Sequence, residues 1–176
     1  SEIEARRGMK ELGTLIELGP RLRWTVATSG ANGRWLVDLP LRGVFDLNDR
    51  AAHRGMALEP ELSFQRRPAQ GWTYTGSVGA VLADQRLANT LYGVEAASAL
   101  ADRPAYAAQP GLVGWRVSGS FSRPVNRDWR VFGFVRVDSV NGAANEDSPL
   151  VRRTTGASAG IGITVTLARS GRPAVD

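Results

Sequence analysis

Between Trp115 and Asp138 the chain reads WRVSGSFSRPVNRDWRVFGFVRVD, two alternating runs joined by a tight turn at Pro124-Val125-Asn126-Arg127. On the first run Trp115, Val117, Gly119 and Phe121 fall on one face, and Arg116, Ser118, Ser120 and Ser122 on the other. On the second, Trp129, Val131, Val135 and Val137 share a face, while Arg130, Phe132, Phe134, Arg136 and Asp138 take the opposite one. Successive side chains of a strand point to opposite faces, so strict period two marks a strand with one apolar and one polar face.

The pattern recurs along the chain. A first strand is expected over 12–26, with Gly19-Pro20 inside it as an edge, bulge or break, because proline removes a ladder donor. A second is expected over 34–47, a third over 56–67, a fourth over 72–83 and a last over 155–167. With the central hairpin this makes about seven strands, each near or above the roughly 9–11 residues that a tilted strand needs to cross a bilayer. The connections alternate in length: 28–33, 68–71 and 124–127 are short, 48–55 is a medium polar loop, 84–111 is long, and 141–153 is long and polar. Short turns at one end and long loops at the other are the asymmetry of outer-membrane barrels. The fold class expected is therefore all-β, an antiparallel up-and-down transmembrane β-barrel.

Composition bounds this reading. The 176 residues suit one domain, taken as 1–168, with 169–176 as a disordered tail. Twenty glycines and nine prolines argue for strands and turns over a helical bundle. No apolar run of about 18 residues occurs, which excludes a membrane-spanning helix and leaves a barrel open. Cysteine is absent, so disulfides and thiolate metal sites are unavailable. The net charge of +5 comes with interleaved signs and no row of exposed aromatics beside it, so nucleic acid is not an expected partner. The first thirteen residues lack the apolar region of a signal peptide.

All five tryptophans lie on apolar faces. Trp24, Trp35, Trp72 and Trp129 sit beside short turns, as do Phe64 and Phe121, which predicts one interfacial aromatic girdle; Trp115, beside a long loop, belongs to the opposite girdle. The polar faces carry Glu17, Arg21, Arg23, Arg34, Asp38 and Arg42 on the first two strands. Glu59, Glu61, Arg67, Arg116, Arg130, Arg136 and Asp138 follow on later ones. Facing a narrow lumen, charges of both signs are expected to pair, since unpaired buried charge is costly. Such a lining serves either as a salt-bridged plug, the favoured reading, or as an ion-selective pore.

From Leu91 onward the chain resembles the MipA/OmpV family of outer-membrane proteins. The residues that carry this are Leu91-Tyr92-Gly93-Val94-Glu95-Ala96-Ala97-Ser98, Leu100, Pro104-Ala105-Tyr106, Gly111-Leu112, and Asp147-Ser148-Pro149-Leu150-Val151 before the last strand. Gly13 with Glu17-Leu18-Gly19-Pro20 is similar to an earlier family stretch. Leu91 stands at the first aromatic position of a YYGV-like motif, and Leu167 replaces the terminal aromatic of the family's assembly signal. The resemblance implies a non-catalytic barrel in the Gram-negative outer membrane, among outer-membrane lipids. It also implies a scaffold whose partners are a periplasmic lytic transglycosylase and a murein synthase. An odd strand number, where bacterial single-chain barrels are even, leads to the expectation that N-terminal strands precede this sequence. The alternatives are a narrow channel with an arginine-rich lumen and a soluble, lipocalin-like ligand-binding barrel.

Catalytic chemistry finds little support. His53 is the single histidine, placed in an outer loop, so no metal site and no cofactor are expected. The G-x-S-x-G spacing occurs at Gly156-Ala157-Ser158-Ala159-Gly160, but inside an expected strand with no helix after it, so it makes no nucleophile elbow. Glu59 and Glu61 share a face, but neighbouring arginines favour ion pairing over acid–base work. Gly156, Gly160 and Gly162 superficially resemble a phosphate loop, yet no helix follows them. In the long segment, 87–100 holds a helical turn. Tyr92, Gly93, Val94 and Tyr106 are the candidate outer-loop interaction residues; the two tyrosines either bind or pack the loop onto the rim.

Overall fold

The computed structural model describes residues 4–10 and 12–167. Nine strands form one antiparallel sheet: β1 (Leu15–Leu18), β2 (Arg21–Ser29), β3 (Gly33–Asp46), β4 (Ala52–Leu58), β5 (Glu61–Arg66), β6 (Thr73–Ala83), β7 (Gly111–Pro124), β8 (Trp129–Ser139) and β9 (Thr155–Val165). One helix, α1 (Gln85–Tyr92), follows β6. β1 and β2 both pair with β3, and β4 and β5 both lie between β3 and β6. The nine strands therefore occupy seven positions in an up-and-down order. β2 and β9 stand at the two ends of that order, and no ladder joins them among the described residues. The chain is all-β, as the alternation requires. The tail over 169–176 lies outside the described residues.

The two interruptions have one cause. Pro20, Pro40 and Pro60 lie side by side on adjacent positions of the sheet. Pro20 carbonyl accepts from Leu41 N at 3.0 Å, Pro40 carbonyl from Glu59 N at 3.1 Å, and Pro60 carbonyl from Ala80 N at 3.0 Å. Each proline keeps its acceptor in the ladder and withholds its donor. The strands on either side of β3 thus break at one height, while β3 itself continues through Pro40. A one-residue slip between Val81 and Leu82 against β7 lets Val113 turn inward as a bulge.

The faces are inverted relative to a soluble sheet. Asp38, Asp46, Ser63 and Gln65 are buried, whereas Leu22, Leu41, Leu62, Val78, Val117 and Ile163 are exposed on the other face. The small apolar core sits at the long-loop end of the sheltered face, where Leu87 and Ala88 of α1 meet Val44, Ala57, Ala83, Ala108 and Val113. Asp84 caps the helix by accepting from Leu87 N at 2.8 Å. Gly55, at φ +128°, lets β4 approach that turn, since a Cβ there would run into Leu87 N and the Asp84 carboxylate.

Several sequence expectations shift. The third strand begins at Ala52, so His53 lies on β4 against Phe45, with ring centroids 5.3 Å apart, rather than in a loop. Glu59 sits in the link between β4 and β5, and Trp72 precedes β6 by one residue. The helix starts at Gln85, earlier than the turn expected over 87–100, because Asp84 supplies its cap.

Candidate functional site

The polar face is built by strand alternation. Arg21 and Arg23 of β2 both donate to Asp38 Oδ1, at 2.7 and 2.8 Å. Along the other strands Glu17 faces Arg42 at 3.4 Å, and Arg42 faces Glu59 at 4.0 Å. Arg116 bridges Glu59 at 3.1 Å and Asp138 at 2.9 Å, and Arg136 reaches Asp138 at 2.6 Å. Charges of alternating sign thus run across the face from β1 to β8. Glu61 lies opposite Asp38 and joins none of these pairs. Arg130 stands apart near the short turn, 3.5 Å from Ser122 Oγ.

On the opposite face the aromatics cluster toward the short turns. Trp35 packs on Phe64 with centroids 5.0 Å apart, and Trp72 meets Phe121 edge-on at 5.5 Å. Arg123 lies over the Trp72 ring at 5.4 Å. Trp24 and Trp129 are exposed on strands flanking those contacts. Trp115 is paired with Ala80 and Ser139, toward the other end.

At the long-loop end two connections interlock into a cap. Val94 and Tyr106 form a two-way bridge at 2.9 Å, and Leu100 and Arg103 form another. Asn145 is buried and closes the second loop onto the first: its Oδ1 accepts from Gln109 N and its Nδ2 donates to Gln109 carbonyl, both at 2.8 Å. Ser148 Oγ donates to Tyr92 carbonyl at 2.7 Å. Buried Arg103 donates to the carbonyls of Ala5, Arg7 and Ser98, tying the N-terminal segment to the cap. Arg6 donates to Thr90 and Leu91 carbonyls at 2.7 and 3.2 Å, satisfying the open end of α1.

Of the four loop residues singled out in the sequence, Tyr92 packs against the core and donates to Val113 carbonyl at 3.3 Å. Burial pushes its hydroxyl pKa up. Tyr106 packs against the same core, and with Gly93 and Val94 it lines a cleft of about 810 Å³ between the N-terminal segment, α1 and the loop. Among the described residues no group of His, Asp and Glu is arranged to hold a metal ion.

The cap is assembled from the stretches LYGV, PAY and DSPLV. A family model described as MltA-interacting protein MipA matches residues 1–167, which takes in all three stretches and the whole described sheet. The chain belongs to the MipA family. Comparison with curated proteins and with solved structures finds no match. In this MipA-family chain the stretches that carry the resemblance serve first to hold the long loops together. Arg6, Arg103, Asn145 and Ser148 were not singled out by sequence reasoning. Only Ser148 had a signal, its place in DSPLV. The others act through backbone carbonyls or amides far along the chain, which leave no local pattern.

Proposed function

We propose that this MipA-family chain acts as a non-catalytic outer-membrane β-barrel of structural or scaffold type, set among outer-membrane lipids and engaging murein enzymes in the periplasm. The observation that carries this reading is the inverted sheet, with ion-paired charge on the sheltered face and large apolar side chains on the exposed one. In water such an exposed apolar surface would drive association; in a bilayer it is the required surface. Strands of 11 residues in β6, β8 and β9, and of 14 in β3 and β7, are long enough to cross. The aromatic contacts near the short turns support an interfacial girdle. The family's description as MltA-interacting supports an enzyme partner, here a lytic transglycosylase with a murein synthase beside it.

A lumen crossed by alternating ion pairs favours a plug over a conducting pore. Planar-bilayer recordings test the channel reading, and stable single-channel conductance would favour it. The main reading is tested with the full reading frame in a Gram-negative host. Outer membranes are isolated and the protein is run on SDS gels with and without boiling. A faster unboiled band in that fraction is expected; a soluble protein without a heat shift would overturn the proposal.

A further inference from the structure

The cleft at the long-loop end has more positive charge than its carboxylates neutralise. Arg6, Lys10, Arg54 and Arg86 line it, against one acidic lining residue, Glu95, among the described residues. Lys10 and Arg54 are paired with Asp49, at 3.0 and 2.8 Å, and Arg54 also with Asp46 at 2.8 Å. Among the described residues Arg6 is bonded only to helix carbonyls, and its half-burial lowers its pKa. The Arg86 guanidinium is exposed and has no hydrogen bond or ion pair among the described residues. Met9, Val94 and Ala105 add apolar surface to the lining beside these cations.

The geometry points to this cleft as a binding site for a phosphate-bearing amphiphile, its anionic group on Arg86 and Arg6 and its apolar portion against Val94. The argument is charge complementarity and shape. Two guanidinium groups without a carboxylate partner among the described residues flank a partly apolar trough of small-ligand volume, and planar guanidinium donors suit phosphate oxygens. Glu95 on the rim opposes such a ligand and limits its affinity. The site stands apart from the scaffold reading, because it needs only the cap and not a murein partner. The ligand is either a lipid headgroup or a soluble phosphorylated compound; both present the same chemistry.

The test is calorimetric titration of the full chain in zwitterionic detergent with hexyl phosphate, beside hexanol and inorganic phosphate. Saturable one-site binding of hexyl phosphate, tighter than either fragment, is expected. Arg86→Glu should weaken it at least about threefold, the scale of an exposed ion pair. Glu95→Gln should tighten it, and Arg130→Glu, at the opposite end of the sheet, should leave it unchanged. Arg86→Glu places an acid in the first turn of α1, which suits the helix, so loss of fold is not the expected effect. No saturable binding, equal binding of hexanol, or equal weakening by the Arg86 and Arg130 reversals would overturn the assignment. Repeating the titration in phosphatidylcholine nanodiscs with and without phosphatidylglycerol separates the sources. Competition by phosphatidylglycerol identifies a lipid headgroup, and undiminished binding identifies a soluble anion.

Discussion

Ser148 Oγ donates to Tyr92 carbonyl at 2.7 Å, and this one bond ties the loop before β9 to the end of α1 across 56 residues of chain. Ser148 is buried, so the acceptor it serves has no easy access to water in its place. Replacing it with alanine should cost about 1 kcal/mol and free the cap before the sheet. Limited proteolysis should then cut faster within residues 93–110, while the boiled and unboiled gel mobilities stay as in the parent. Unchanged cleavage would mean that Asn145 alone holds the loops.

Asp38 anchors two arginines through one oxygen, with its own side chain buried and theirs about half exposed. Asp38→Ala leaves two guanidinium groups facing each other without an acceptor. A loss of about 2 kcal/mol is expected, below the usual figure for a fully buried pair because water reaches both arginines. Arg21→Ala leaves the Arg23 bond intact and should cost less than half as much. Urea unfolding in detergent measures both, and equal losses would contradict the shared-acceptor account.

Glycines in β9 sit beneath rings of β8. Phe134 pairs with Gly160 and Phe132 with Gly162, and a Cβ at Gly160 would come within 2.6 Å of a Phe134 ring carbon. Gly160→Ala should therefore displace the ring and cost about 1–2 kcal/mol. Gly156, on the same strand face, has open space beside it, and Gly156→Ala should be neutral or slightly stabilising. The contrast between the two variants, measured by urea midpoint, separates ring displacement from a general strand effect.

Asp49 accepts from Lys10 at 3.0 Å, and that hydrogen bond, with the attraction behind it, holds its carboxyl below the usual value. The folded pKa is depressed, so the pair's contribution is present above about 3.9, the unfolded value, and is lost as pH falls through the lower folded value. Carbon-detected NMR titration should place Asp49 below about 3.9, and Lys10→Ala should raise it while Arg54 still opposes full return. No upward movement in the variant would show that Arg54 alone sets the shift.

Much of the architecture is legible in the residues themselves. Alternation assigned Trp35, Val37 and Leu39 to one face of β3 and Asp38 to the other, because each side chain's direction follows from its parity. The break at Gly19-Pro20 was legible for the same local reason. The alignment of Pro20 with Pro40 and Pro60 was not, because it depends on register between strands. Tyr92 and Tyr106 show the same division within the candidate site. Sequence marked both as loop residues, and only the folded cap packs both against the core while letting Tyr106 also line the cleft.

The sequence by itself determined the strand class, the seven sheet positions, the charge of one face and the apolarity of the other, and the MipA resemblance. These follow from period, turn residues and short motifs, which are properties of neighbours in the chain. The tertiary structure decided which charges meet, where the helix docks, how Arg103 and Asn145 clasp segments far apart, and that a cationic cleft opens beside the cap. Those depend on distances across strands and loops, and an isolated pattern of side-chain types carries no record of such distances.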